Sequence, residues 1–206
     1  MTSQPTPGLR AKLLGPVRLW AGDREVTLGS PLPRAVIAML AMRTSTVVSR
    51  EELIDGVWGE NPPATVEGSL YTYISSLRKA LEPDRGRRES SGLLVSEGAG
   101  YRLLLAPADL DVVEFNRLRD HAEHQLAAGD AAGALRSIDE GLSLWQGEAF
   151  SGVTGPYAQS QRNRLGELRV VARELRSEAA LANGQHTTAV ADIAGLVHEY
   201  PIRERP

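Results

Sequence analysis

Apolar and polar positions change period several times along the chain, and each change marks an element. Between Leu9 and Leu28 the β-rich runs Leu9–Leu14, Val17–Trp20 and Glu25–Leu28 are punctuated by Gly15-Pro16 and Ala21-Gly22-Asp23. Turns so close together leave no room for helices, so the pattern predicts a small antiparallel sheet. Helical signals follow. Ser30 stands where it can cap a helix opening at Pro31, with Ala35, Val36, Met39 and Leu40 on one stripe. Ser49 starts a second helix, and Glu52 three residues on completes the spacing of a capping box. Leu53, Ile54 and Val57 form its inner side, Gly59 ends it, and Asn61-Pro62-Pro63 makes a stiff loop.

The next helix, from about Thr65 to Leu81, has the strongest pattern. Val66, Leu70, Ile74, Leu77 and Leu81 recur at spacings of 4, 4, 3 and 4, one continuous helical face. The opposite face holds Gly68, Thr72, Ser75 and Lys79, flanked by Thr65, Tyr71, Ser76 and Arg78. Pro83 closes the helix, the polar stretch Asp84–Gly92 reads as a loop, and Leu93–Val95 with Tyr101–Leu105 reads as a hairpin around Gly98 and Gly100. Strands, three helices and a hairpin form the order of a winged helix-turn-helix. An extra N-terminal sheet stands in front of it.

After Ala106-Pro107-Ala108 the pattern becomes almost wholly helical and repeats itself. Leu126-Ala127-Ala128-Gly129-Asp130 with Ala134, Leu135, Ile138 and Leu142 matches Leu181-Ala182-Asn183-Gly184-Gln185 with Ala189, Val190, Ile193 and Val197. Each pair is offset by 55 residues, with Trp145–Pro156 as an inserted connection. Each copy predicts a tetratricopeptide-like helical hairpin. The expected fold is therefore α+β, a winged helix with an extra antiparallel sheet over 8–105, then an all-α tetratricopeptide-like domain over 109–206.

Composition removes several classes of function. The absence of cysteine excludes disulfides, zinc–thiolate sites and thiol catalysis. Met1–Gly8 lacks the apolar segment of a signal peptide, and no apolar run reaches the roughly 20 residues of a membrane span, so a cytoplasmic location is expected. The net charge of −3 is unevenly spread. Residues 1–105 carry 13 basic and 11 acidic side chains, and residues 106–206 carry 10 and 15. A mildly basic half before an acidic half fits one domain that faces nucleic acid and one that faces elsewhere, and charge alone fits two ordinary mixed surfaces equally well.

A helix read by DNA needs short polar side chains near base edges and cations for guanine or phosphate. Thr65, Thr72, Tyr73, Ser75, Ser76, Arg78 and Lys79 offer that set. Taken alone, such a face reads as the solvated side of a core helix; the stiff loop before it and the glycine hairpin after it turn the reading toward DNA. Arg102 lies in the candidate wing, and Arg85, Arg87 and Arg88 form a basic run that serves equally as phosphate anchors or as a solvated loop. Arg34 and Arg50 sit in first helical turns, where each can either hold a phosphate oxygen or pair with a neighbouring carboxylate such as Glu51. Trp58 reads as a core plug. No phosphate-binding Gly-rich loop or serine nucleophile elbow is present, and His121 with His124 has no third ligand at metal spacing, so no enzyme, cofactor or metal is expected.

Several segments together resemble the AfsR/SARP family of regulators. They are Gly8–Leu14, Gly29-Ser30-Pro31 with Arg34-Ala35, Leu53–Pro63, Tyr73–Leu81 and Gly100–Leu103, similar to that family's OmpR-type DNA-binding domain. Asp109-Leu110-Asp111 with Phe115, Ala127–Asp130, Leu144–Gly147 and Tyr200–Arg205 resemble its bacterial transcriptional activation domain. The resemblance implies an activator of secondary-metabolite (antibiotic) genes. Such a protein binds direct repeats in double-stranded promoter DNA, as a dimer on DNA, and recruits RNA polymerase with its sigma factor. It also implies that Glu60, Asn61, Pro62, Pro63 and Ala64 form a polymerase-facing loop. Ser75 and Ser76 stand where related winged helices often carry arginine, which implies fewer guanine contacts. Because family members continue with further helices, the chain reads as a fragment of a longer regulator. The competing readings are a protein-interaction scaffold built on the helical repeats and a sensor fragment of a larger multidomain protein.

Overall fold

The computed structural model describes residues 8–44, 46–84, 86 and 91–199. Strands β1 (Leu9–Lys12), β2 (Arg18–Ala21) and β3 (Arg24–Glu25) form an antiparallel sheet in that order. The register pairs Leu9 with Ala21 and Ala11 with Leu19, so four small or aliphatic side chains enter the core on one face. Arg10, Lys12, Arg18 and Trp20 occupy the other face. Helix α1 (Pro31–Met42) follows, and every residue from Ala35 to Ala41 is buried, which makes it the central rod of the first half. Ser30 takes the N-cap position but its side chain makes no capping bond. Pro33, three residues on, has no N–H to offer it.

A strand of two residues, β4 (Val48–Ser49), precedes α2 (Arg50–Trp58) and was not anticipated from the pattern. Among the described residues it pairs antiparallel with β6 (Gly100–Leu103), which in turn pairs with β5 (Leu94–Glu97). At the start of α2 the capping box is present: Glu52 N donates to Ser49 Oγ at 3.1 Å, and Ser49 N donates to Glu52 Oε2 at 2.9 Å. Helix α3 (Val66–Leu81) buries Leu70, Ile74, Leu77 and Leu81, whereas Val66 in its first turn is only half-buried.

A single 3-10 turn, Pro107–Asp109, leads into the helical half. Helices α4 (Asp111–Ala127) and α5 (Ala131–Ser143) form one hairpin, and α6 (Pro156–Ala182) and α7 (His186–Glu199) the second. The repeat is visible in three dimensions. Gly129 and Gly184 hold φ of 84° and 77° at the two turns, and Ala134 and Ala189 are both fully buried at the helix crossings. Among the described residues no helix is long and apolar enough to cross a membrane.

The two halves share one continuous core, and the connection between α5 and α6 joins them. Gln146 N donates to Leu14 O at 2.7 Å, Phe150 N to Leu13 O at 2.9 Å and Ser151 N to Gly15 O at 3.1 Å. Phe150 is fully buried at φ 56°, a left-handed conformation rare for a bulky side chain. Its hydrogen bond and buried ring hold it there. From the other side, the Asp111 carboxylate at the head of α4 accepts from Leu13 N at 2.9 Å and Leu14 N at 3.0 Å. Leu13–Gly15 is thus gripped between a carboxylate and a strap. Burial raises the Asp111 carboxyl above its ordinary range, opposed by the backbone N–H groups of Leu14 and Leu13.

Candidate nucleic-acid interface

The exposed side of α3 carries Thr65, Gly68, Thr72, Ser75, Ser76 and Lys79, a face without bulky side chains apart from exposed Tyr71. Two of its hydroxyls are turned partly inward along the helix: Thr72 Oγ1 donates to Gly68 O at 2.9 Å, and Ser69 Oγ to Thr65 O at 3.2 Å. Each oxygen keeps acceptor capacity toward solvent. The polar face of α3 is therefore shallow enough to approach another surface closely.

Three arginines expected at the interface are spent in building it. Arg78 Nε donates to Leu94 O at 2.8 Å and Arg78 Nη2 to Ser96 Oγ at 2.8 Å, while its guanidinium lies 5.8 Å from the Tyr101 ring. It fastens the last turn of α3 to the hairpin. Arg50 lies 5.4 Å from the Tyr71 ring and 5.9 Å from the Tyr101 ring, joining the head of α2 to both α3 and β6. Arg50 N also donates to Ala99 O at 3.2 Å, so the hairpin tip is tied to α2. Arg102 pairs with Glu97 at 2.8 Å across the hairpin. These guanidiniums position the wing against α2 and α3.

Two expected residues fall elsewhere. Tyr73 is half-buried and stacks on Trp58, with ring centroids 5.9 Å apart and planes 6° apart, so it belongs to the α2–α3 packing and not to the open face. Its position, one residue before Ile74, turns it toward α2. Arg34 donates to Gly29 O at 2.8 Å and approaches Gly152 of the strap, which places it between the two halves. The structure thus does not bring Tyr73 or Arg34 together with the open face of α3. Arg24 was missed: its Nη2 donates to Ala80 O at 3.0 Å and Leu81 O at 2.9 Å, satisfying terminal carbonyls of α3. Only its distance from α3 in the chain hid it. Arg85, Arg87 and Arg88 lie outside the described residues.

The loop Glu60–Ala64 is exposed throughout and stands between α2 and α3. At the hairpin tip, Gly98 holds φ of 54° and is open to solvent, whereas Gly100 is hemmed in by β4. Arg78→Lys keeps the charge but loses the two-point bond to β5. The expected cost is about 1–2 kcal/mol of stability, with faster amide exchange in Leu94–Glu97 than in α1.

Comparisons with known proteins agree with this architecture. Residues 23–103 match the family described as "Transcriptional regulatory protein, C terminal", and residues 110–206 match the bacterial transcriptional activator domain. Regulatory protein AfsR of Streptomyces coelicolor is 41% identical over 198 residues, which cover 96% of this chain and 19% of AfsR. Regulatory protein DnrI of Streptomyces peucetius is 29% identical, covering 95% of this chain and 74% of DnrI. The solved structure of Mycobacterium tuberculosis EmbR, in complex with a low-affinity phosphopeptide, superposes with a TM-score of 0.85 at 28% identity. That match covers 96% of this chain and 52% of the EmbR chain. The chain thus spans about a fifth of the length of the AfsR relatives it matches. With both halves matched in order and the AfsR relatives covering 96% of the chain, the chain belongs to the AfsR/SARP family of transcription regulators.

Proposed function

We propose that this chain is the promoter-binding portion of a cytoplasmic transcription activator. Helix α3 enters the major groove with Thr65, Thr72, Ser75, Ser76 and Lys79 toward the DNA, and the Gly98–Ala99 tip runs along the neighbouring minor groove. Arg50, Arg78 and Arg102 hold helix and wing at a fixed spacing, and Arg50 and Arg102 also face phosphates. The exposed loop Glu60–Ala64 faces RNA polymerase and its sigma factor. In keeping with the family, the targets are direct repeats in promoters of secondary-metabolite genes, bound by two copies. The observation that carries this reading is the open, small-residue face of α3 braced against a wing by Arg78.

The test begins by selecting bound duplexes from a random pool, then measuring affinity against salt. Lys79→Ala is expected to weaken binding to all sequences and to lower the salt slope by about 1. Substituting Ser75 or Ser76 instead changes which sequences are selected. Salt-independent binding, or equal behaviour of all three variants and the parent, refutes the placement of α3. For the loop, replacing Glu60–Ala64 with a glycine-serine segment is expected to leave DNA affinity intact and reduce transcription in a purified polymerase assay.

A further inference from the structure

Helix α3 carries a glycine that its packing does not require. Gly68 lies inside the helix on the exposed side, and a Cβ placed there would meet no atom within 4 Å. Gly56 of α2 is the opposite case, with Met39 Sδ 2.6 Å from where its Cβ would stand. Packing accounts for Gly56 and leaves Gly68 without a structural reason, although a glycine in a helix interior costs stability relative to alanine. A bare backbone at an exposed position suits the close approach of another molecule.

Tyr71 stands three residues on, the one bulky side chain of the open face, and is 51% exposed. A helical side chain leans toward the N-terminus over the preceding turn, so the ring overhangs the side on which Gly68 leaves a gap. Arg50 of α2 lies 5.4 Å from the ring centre and holds it from one side. The rest of the ring is a positioned aromatic surface open to solvent. Thr72 directs its hydroxyl hydrogen to Gly68 O at 2.9 Å, so it donates nothing outward. Tyr71, Gly68 and Thr72 therefore form an apolar ledge on a face whose other members, Thr65, Ser75, Ser76 and Lys79, are hydroxyls and a cation.

We infer that this ledge reads the 5-methyl group of a pyrimidine, which in unmodified DNA is thymine. The inference rests on the placement of α3 in the major groove proposed above, where the N-terminal half of a recognition helix meets base edges. Among the four bases only thymine presents an apolar group there, and small or aromatic apolar side chains match it. Gly68 lets the methyl group come close to the helix, and the Tyr71 ring covers it from the side. A helix with Ser75 and Ser76 in place of arginines thus gains discrimination from the burial of one methyl group.

The experiment takes the 206-residue chain and a duplex selected from a random pool, and replaces each thymine in turn with deoxyuridine. That exchange deletes one methyl group and leaves every hydrogen-bonding atom in place. At one thymine of each bound site the parent is expected to lose about fivefold in affinity. Tyr71→Ala is expected to bind the thymine and uracil duplexes equally, and Tyr71→Phe to keep the parent's preference. Gly68→Ala is expected to raise the thermal midpoint by about 2–4 °C yet weaken binding at least about fivefold. A merely structural role would move stability and binding the same way, and this variant keeps the test open if Tyr71→Ala misfolds. Salt-dependent binding that is indifferent to every thymine methyl overturns the inference. So does a Tyr71→Ala chain that still prefers thymine, a Tyr71→Phe chain that does not, or a Gly68→Ala chain that binds as tightly as the parent. Each of those results leaves the promoter-binding reading standing. A parent chain that selects no duplex overturns that reading, and this inference with it.

Discussion

Replacing Asp111 with alanine is expected to lower the stability of the chain by about 3 kcal/mol and its thermal midpoint by about 10 °C. The carboxylate accepts the N–H groups of both Leu13 and Leu14 in a buried site. Alanine leaves two buried donors without an acceptor, and each such loss costs about 1–3 kcal/mol. Relief of the desolvated charge offsets part of that sum. Asp111→Asn keeps an acceptor oxygen and removes the charge, so it is expected to stay within about 1 kcal/mol of the parent. The pair also gives a pH signature. The folded carboxyl titrates above its ordinary value of 3.8, so the folded protein keeps a proton that the unfolded chain has released. Stability from this group is full below 3.8 and declines as pH rises through the raised value. Urea titrations over that range should show the decline in the parent and its absence in Asp111→Asn. Identical pH profiles in the two would refute the buried-carboxylate account.

The second large effect belongs to Gly100. A methyl group there would sit 2.2 Å from Val48 O and 2.8 Å from Val48 C, both backbone atoms of β4. With only Val48 and Ser49 in that strand, β4 has no further pairs with which to absorb the displacement. Gly100→Ala is therefore expected to push β6 from β4, at about 2–3 kcal/mol. Because Arg50 and Arg78 both rest against Tyr101, the next residue in β6, the wing shifts relative to α3. Affinity for a selected DNA site should fall more than about tenfold, measured by gel shift at constant salt. Gly98→Asn provides the contrast. Position 98 needs the left-handed conformation but has open space, and asparagine adopts it at small cost. If both variants bind like the parent, the wing does not take part in DNA binding.

The chain's local grammar carried much of the fold. The period of Leu70, Ile74, Leu77 and Leu81 and the Ser49–Glu52 capping box each depend on residues within a turn or two of each other, so they are legible without tertiary information. The repeat of two hairpins is legible for the same reason. What pattern reading missed is held by distant partners. Strand β4 has no two-residue signature and exists because β6, some fifty positions on, supplies its ladder. Asp111 stands in a recognisable motif, yet nothing local indicates that it grips Leu13 and Leu14 in the other half of the chain. The candidate site shows the same division. Its small polar face followed from helical geometry, whereas the spending of Arg78 on β5, of Tyr73 on Trp58 and of Arg34 on Gly29 depended on neighbours that arrive from elsewhere. Arginine is long enough to serve either a ligand or the scaffold, and composition does not separate the two uses.

The grip on Leu13–Gly15 has a consequence for timing around the DNA axis. A segment clasped by α4 on one side and by the α5–α6 strap on the other cannot act as a swivel. On promoter DNA, whatever rests on the helical half is then carried at one rotational setting relative to the groove that α3 occupies. Duplex DNA turns once in about 10.5 base pairs, so moving the site by about 5 base pairs turns that surface to the opposite side. Under the promoter-binding reading the protein behaves as a rigid protractor, and its output should rise and fall with spacing in whole helical turns.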